Sequence, residues 1–305
     1  MTDNRRPTRV FVVGSLNADH RVHVARFPQP GETVLASDIV ISAGGKGANQ
    51  AVAAARAGAT TTIIGAIGDD PDGEILARAL SEQDIGTRDV RVVHGAQTGR
   101  ALITVDAGGE NNIVVSPGAN GELTTEDVDA GLSDIGERDL LLLQLETPEP
   151  LVRHAARVAS DAGGVVVLNP TPVPDATQDL FEHVDLLVVN EHELAQLAND
   201  IATLASEADA TVICTAGSRG VFVTRQDRVE HIAASTVDAV DTTAAGDTFI
   251  GYLAARLAVA PDDILGAVRV AVSAAGLAVT RSGAIASIPY DYELESDKTT
   301  MEGSR

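Results

Sequence analysis

Six short apolar runs constrain this chain more than anything else in it. RVFVVG (9–14), TTTIIGAIG (60–68), LLLLQLE (140–146), GVVVLNP (164–170), DLLVVN (185–190) and TVICTAG (211–217) each end on glycine, proline or a polar residue. Runs of Val, Ile and Leu without alternation mark strands covered on both faces, the pattern of a parallel sheet. Helix-patterned segments separate most of them. KGANQAVAAARAG is alanine-rich and closes on Gly58, and PDGEILARALSEQDI has Pro71 in its first turn. AAGDTFIGYLAARLA and PDDILGAVRVAVSAAGLAVT follow near the end of the chain. The fold class is therefore α/β, a doubly wound sheet between helices.

Two stretches break the alternation. Residues 15–42 hold FPQPGET, with Pro28, Pro30 and Gly31, and then the alternating DIVIS, which suggests edge strands rather than a helix. In residues 96–115, TGRALITVD and NNIVVSP flank AGGEN, the composition of a hairpin. RVVHG also has strand character, and VFVTRQDRVEHI reads as a late hairpin. We assign 1–14, 43–95 and 116–305 to one α/β domain, and 15–42 with 96–115 to a small β lid. Ligands of such sheets bind beyond the carboxyl ends of the strands, where a lid from those ends would cover them. The last residues, DYELESDKTTMEGSR, have the composition of a frayed tail.

Charge narrows the partners. Forty-four acids against 22 bases give −22 and a pI near 4.5, which argues against nucleic-acid backbones and anionic membranes. Lysine occurs only at Lys46 and Lys298. A dispersed acidic coat nearly free of lysine suggests a salt-rich cytosol, with folding and activity rising in molar KCl. No apolar stretch has membrane-span length, and MTDNRRPTRV lacks a signal-type apolar region, so a cytoplasmic protein is expected. Cys214 is the single cysteine, which excludes an internal disulfide, and no cluster has zinc spacing.

Two constellations carry chemistry. Ala244-Ala245-Gly246-Asp247 sits where the chain enters a long helix, so small residues and a helix N-terminus offer backbone N–H groups to an anion. Asp247 is a carboxylate where an anion belongs, which suits a base facing a substrate hydroxyl beside a phosphoryl group. Taken alone, the same Asp also reads as a helix-dipole partner. In the second constellation, GSLNADH and SAGGKGANQ bring Asn17, Asp19, Lys46 and Asn49 to the strand ends, a set suited to a molecule made of hydroxyls. Gly44 and Gly45 permit close backbone approach. Gly47 after Lys46 excludes a Walker A loop. GGKG alone also reads as a glycine turn and cap.

GSLNADH, FPQPGET, AGGKGANQAVAAARAGA, GDD-x-x-G, LLQLETP, NEHE, TAGSRG and DTTAAGDTF stand in the order and spacing of the PfkB carbohydrate kinases. Over residues 9 to 290 the chain resembles the ribokinase group of that family. The resemblance implies a ribokinase-like three-layer α/β/α sheet with a β lid. It also implies an ATP-dependent phosphotransferase acting on the 5-hydroxyl of a pentose. Asn17, Asp19, Gly45, Lys46, Asn49 and Glu146 would hold the sugar. Ala244, Ala245 and Gly246 would form the anion hole, with N–H groups from Ala245 to Asp247 as its donors and Asp247 as the base. Asn190 and Glu193 are implied near Mg²⁺ and the phosphates, and Thr215, Gly217, Ser218 and Gly220, with Asn190 and Gly246, at the nucleotide. A K⁺ site is implied at Asp241, Thr243, Ala278, Arg281, Gly283 and Ser287, and a homodimer through the lids.

The chain departs from that pattern in places. Alternation puts Ala101 and Ile103 on one lid face and Arg100 with Leu102 on the other. Arg100 then points to solvent or a partner lid, or, with a register shift, inward to read a phosphate such as that of ribose 1-phosphate. Residues 270–274, Val-Ala-Val-Ser-Ala, lack the Asn or His common near the adenine, which leaves the nucleobase open. His20 and His23 read as surface residues and Cys214 as a buried strand residue. Three tyrosines, five phenylalanines and no tryptophan supply a nucleoside pocket poorly. Deoxyribose, ribose 1-phosphate and a nucleoside stay as alternative acceptors, and a non-catalytic sugar sensor as an alternative role.

Overall fold

Every side chain of Val10–Val13, in the first apolar run, is buried, and that strand is the axis of the structure. The computed structural model describes residues 8–177, 179–226 and 228–294. The expected tail beyond residue 294 and Lys298 lie outside the described residues. The chain opens with β1 (Val10–Val13), β2 (Asn17–His23), β3 (Val40–Gly44), α1 (Lys46–Arg56), β4 (Thr61–Gly68), α2 (Pro71–Ser81) and β5 (Val90–Val93). Then come β6 (Gly99–Val105), β7 (Asn111–Ser116), α3 (Thr125–Gly131), β8 (Leu140–Gln144), α4 (Glu149–Asp161), β9 (Val165–Asn169) and β10 (Leu186–Asn190). The last elements are α5 (Glu191–Leu197), α6 (Ile201–Ala208), β11 (Thr211–Thr215), β12 (Val221–Arg225), β13 (Arg228–Ile232), α7 (Ala245–Val259) and α8 (Ile264–Ala278).

Nine strands form the main sheet in the order β13-β12-β11-β10-β9-β8-β1-β4-β5. All pairs are parallel except the two made by β12. Alternate residues serve two helical layers, as a twofold period requires. Val10, Val12, Leu140 and Leu142 pack with α1, α7 and α8, whereas Phe11, Val13, Leu141 and Leu143 pack with α3, α4 and α6. This is a three-layer α/β/α sandwich. β1 lies between β4 and β8, so the chain winds outward from it in both directions and leaves a crevice at its carboxyl end.

Helices α1 and α7 meet closely because their facing residues are small. A Cβ built on Gly251 of α7 would sit 2.4 Å from the Ala53 Cβ and 2.6 Å from the Gln50 carbonyl oxygen. Asp247 lies one turn before Gly251, and Asn49 and Gln50 lie one turn before Ala53 and Ala54, so the close approach brings those polar residues together.

The second sheet has the order β3-β2-β6-β7. The hairpin of β6 and β7 forms in register, and β2 pairs antiparallel with β3 but parallel with β6. The β2–β6 pair joins two segments that the sequence does not link. FPQPGET lies outside the strands, and this sheet runs to Gly44 and Ser116, slightly past 42 and 115. Asn17, Asp19, Arg21, Ala101 and Ile103 share one face, and His20, Arg100, Leu102 and Ile41 the other.

Candidate active site

Asp247, in the first turn of α7, is buried where the two sheets meet. Asn49 Nδ2 donates to its Oδ2 at 2.9 Å and Gln50 Nε2 to its Oδ1 at 3.0 Å. Gln144, at the end of β8, donates to Gln50 Oε1 at 2.6 Å, so two fully buried amides stand in line behind the carboxylate. Donors on both oxygens fix its orientation and offset the cost of burying it. With its amide nitrogen on Asp247, Asn49 Oδ1 is buried without a protein partner among the described residues, an acceptor suited to a hydroxyl.

The sugar-type residues gather on one side of Asp247. Glu146, just past β8, accepts on Oε2 from the Ser15 hydroxyl, from Asn17 Nδ2 at 3.2 Å and from the Lys46 backbone N–H at 3.3 Å. Asn120 donates to Asn17 Oδ1 at 2.8 Å and orients that amide. Asp19 is buried against Gly44, where a Cβ would lie 2.3 Å from its Oδ2. Gly45 has φ +89, and a Cβ there would lie 2.6 Å from the Asn17 backbone nitrogen. The two glycines thus make room for Asn17 and Asp19. Burial, aided by the Glu146 and Asp247 charges against the pull of Arg21, pushes the Asp19 carboxyl up to about 7.

Lys46 joins this end to the next. Burial opposes its charge, but Asp247, Glu146 and Glu193 outweigh that and hold the ammonium above the usual lysine range. With Asp247, Asn190, Glu193 and Gly246 it lines a cavity of about 260 Å³. Thr215 and Gly246 are shared with a second cavity of about 320 Å³, lined by Gly217, Ser218 and Gly220 and floored by Val272, Ala275 and Gly276 of α8. Gly217, Ser218 and Gly220 therefore line a cavity that adjoins the one reaching Asp247, under an apolar helix face.

Ala244 caps α7 at φ 59, and its carbonyl accepts from Thr248 at 2.8 Å. The Ala245 N–H is turned to the Thr242 carbonyl at 3.2 Å. Of the three N–H groups expected to face an anion, those of Gly246 and Asp247, at the helix start, have no such turn partner among the described residues.

Asn190 and Glu193 form a reciprocal capping box on α5, and the Thr171 hydroxyl also donates to Glu193. Among the described residues, no three His, Cys, Asp or Glu side chains are grouped to hold a metal. One carboxylate beside a phosphate-sized cavity still fits Mg²⁺, which is commonly held by substrate phosphates and water. Asp241 accepts on Oδ1 from the Thr243 N–H at 2.9 Å and hydroxyl, and on Oδ2 from the Gly283 N–H at 3.0 Å. Although burial opposes it, these donors and Arg21 draw its carboxyl down to about 2. Ser287 is buried and donates to the Ala284 carbonyl, and the Ala278 carbonyl accepts from the Arg281 N–H. One ionised carboxylate among carbonyl and hydroxyl oxygens fits an alkali cation in donor type.

Two lid expectations change. Arg100 lies on the face away from Asp19, but it is neither free in solvent nor aimed at the cleft. It donates to Asp72 at 2.5 Å and to Asp70 at 3.3 Å, at the start of α2. His20 is not a bare surface residue either, since its ring meets Asp72 at 3.1 Å, while His23 is exposed. Cys214 is buried in β11. The arginine on the Asn17–Asp19 face of the second sheet is Arg21, which sequence reading passed over together with Gln50, Gln144 and Asn120. For the glutamines the available signal was two polar residues in otherwise apolar stretches.

The pfkB family carbohydrate kinase pattern matches residues 7–291. The ribokinase of Haemophilus influenzae is 40% identical over 294 residues, 92% of this chain and 95% of that protein. A ribokinase from Thermotoga maritima superposes with a TM-score of 0.86 at 34% identity, covering 95% of this chain and 98% of that one. The Arabidopsis thaliana ribokinase complexed with ribose and ATP superposes with a TM-score of 0.83 at 30% identity, over 95% and 98%. This chain belongs to the pfkB family of carbohydrate kinases.

Proposed function

We propose that this protein is an ATP-dependent kinase that transfers the γ-phosphoryl group to the 5-hydroxyl of D-ribose, giving D-ribose 5-phosphate. The observation that carries the reading is Asp247: a buried, amide-held carboxylate at a helix N-terminus, between a hydroxyl-binding end and a phosphate-sized cavity.

Asn17, Asp19, Gly45, Lys46, Asn49 and Glu146 orient the pentose so that its 5-hydroxyl faces Asp247. Asp247 accepts the hydroxyl proton as that oxygen attacks phosphorus, a contribution on the order of 10²–10⁴ in rate. The N–H groups of Gly246 and Asp247 meet charge on the transferring group. Thr215, Gly217, Ser218 and Gly220 line the nucleotide's cavity. Mg²⁺, associated with Asn190 and Glu193, supplies neutralisation of phosphate charge when bound. Asp241, Thr243, Ser287 and the carbonyls of Ala278, Arg281 and Gly283 would hold a K⁺, which would supply fixed positive charge there. The lid excludes water, which favours transfer to sugar over hydrolysis.

The test is kcat/KM with ATP, Mg²⁺ and KCl across ribose, ribose 1-phosphate, deoxyribose, fructose and adenosine. Ribose is expected to lead; preference for a phosphorylated sugar or a nucleoside would overturn the assignment of the acceptor.

Asp19 adds a pH dependence. Its proton is held in the folded state up to about 7 and released near 3.8 in the unfolded chain, so its contribution to stability declines as pH rises across that window. Sugar hydroxyls donate to the ionised form. The KM for ribose should therefore fall as pH rises through about 7, and Asp19→Asn should flatten that dependence. An unchanged slope in the variant would exclude Asp19 as its source.

The protein is further proposed to act in a salt-rich cytoplasm as a homodimer, through lid faces that expose Ile41, Leu102 and Val114. Sedimentation and unfolding across KCl concentrations check both. A dimer whose unfolding midpoint rises toward molar KCl is expected, and a monomer equally stable in dilute buffer would contradict it.

A further inference from the structure

On β2 the substrate face carries Asn17, Asp19 and Arg21 in sequence, and the first two are buried at the sugar end. Arg21 reaches beyond them, out of the lid. Its Nη1 donates to Asp241 Oδ2 at 3.1 Å, and its Nη2 lies 3.5 Å from the Thr243 hydroxyl. Those partners are 220 residues away in the chain and immediately precede the Ala244 turn of the anion hole. Asp241 already ties this segment to the loop after α8, through the Gly283 N–H and the Ser282 hydroxyl. It is therefore a hub, and the guanidinium is the lid's link to it. The pair is shielded, with the two side chains 16% and 18% exposed, so solvent screens it less than a surface ion pair.

We propose that Arg21 is a positioning residue that couples sugar binding to nucleotide binding. A sugar held by Asn17 and Asp19 draws β2 onto the main domain. The same strand then seats Arg21 on Asp241 and Thr243 and fixes the segment that leads into the anion-hole turn. Arg100 and His20, on the opposite face of the lid, hold it to α2 and take no part in this link. The inference rests on the sugar-kinase reading above, because it needs both ligands to bind. Its signature is thermodynamic and reciprocal: each ligand tightens the other by the same factor.

The experiment is isothermal titration of the full chain with the non-hydrolysable imido analogue of ATP, with and without saturating ribose, and the reverse titration. In the wild type, ribose should tighten the analogue about tenfold, within the usual range for coupled sites. In Arg21→Gln the factor should fall below about twofold, while ribose and the analogue each still bind. Arg21→Lys, which keeps the charge and can reach a single acceptor, should retain part of the coupling, and it carries the test if the Gln variant is unstable. Arg100→Gln should keep all of it. Coupling in Arg21→Gln or Arg21→Lys equal to that of the wild type, or no coupling in the wild type, would overturn this inference while leaving the kinase reading intact. Failure of the wild type to bind ribose or the analogue would overturn the kinase reading itself.

Discussion

The buried carboxylate of Asp247, held by the amides of Asn49 and Gln50, is the interaction on which the rest of the site depends. A carboxylate out of water is tolerated only when its oxygens are hydrogen-bonded, and here both are. The donors sit on α1 and the acceptor on α7, so the bonds form only if those helices pack closely. Gly251 and the alanines of α1 allow that approach. Gln144 then anchors Gln50 to β8, next to the strand at which the sheet reverses its winding. Asp247 is thus tied through Gln50 to the middle of the main sheet.

Charge organises what surrounds the base. Asp247, Glu146 and Glu193 share Lys46 as their cation, whereas the cation that acts on Asp19 is Arg21. In a chain with two lysines, one of them lines the cavity beside Glu193 and also feels the charge of Glu146. Removing its charge would leave several carboxylates facing one another in a shielded cleft. Burial first, and the neighbouring Glu146 and Asp247 charges after it, push the Asp19 carboxyl up, while the donors around Asp241 draw its carboxyl down. The two aspartates differ in environment rather than in depth alone.

Much of this was legible in the sequence, for physical reasons that also mark the limits. The core strands could be read because they are buried on both faces and so carry no alternation. The turn at Ala244–Asp247 could be read because small residues stand where a long helix begins, and the Gly44–Gly45 pair because a Cβ at either would strike Asp19 or Asn17. The parallel pairing of β2 with β6 could not, since it joins segments far apart in the chain through backbone groups that every residue has. The partners of Arg100 and Arg21 were hidden for the same reason. Alternation gave Arg100 its face, but nothing local announced Asp70 and Asp72 opposite it. Gln50 and Gln144 were missed because a lone glutamine in a helix or at a strand end usually faces solvent, and only the packed structure brings the two together behind Asp247.

The measurement that tests the account most directly is a comparison of Asp247→Asn with the wild type, reading kcat for ribose phosphorylation and, separately, the affinity for ribose. The substitution keeps the shape and removes the proton acceptor. The account predicts a fall in kcat of about 10²–10⁴, with ribose affinity within a few-fold of the wild type. A variant that turns over within tenfold of the wild type would contradict the assignment of Asp247 as the base.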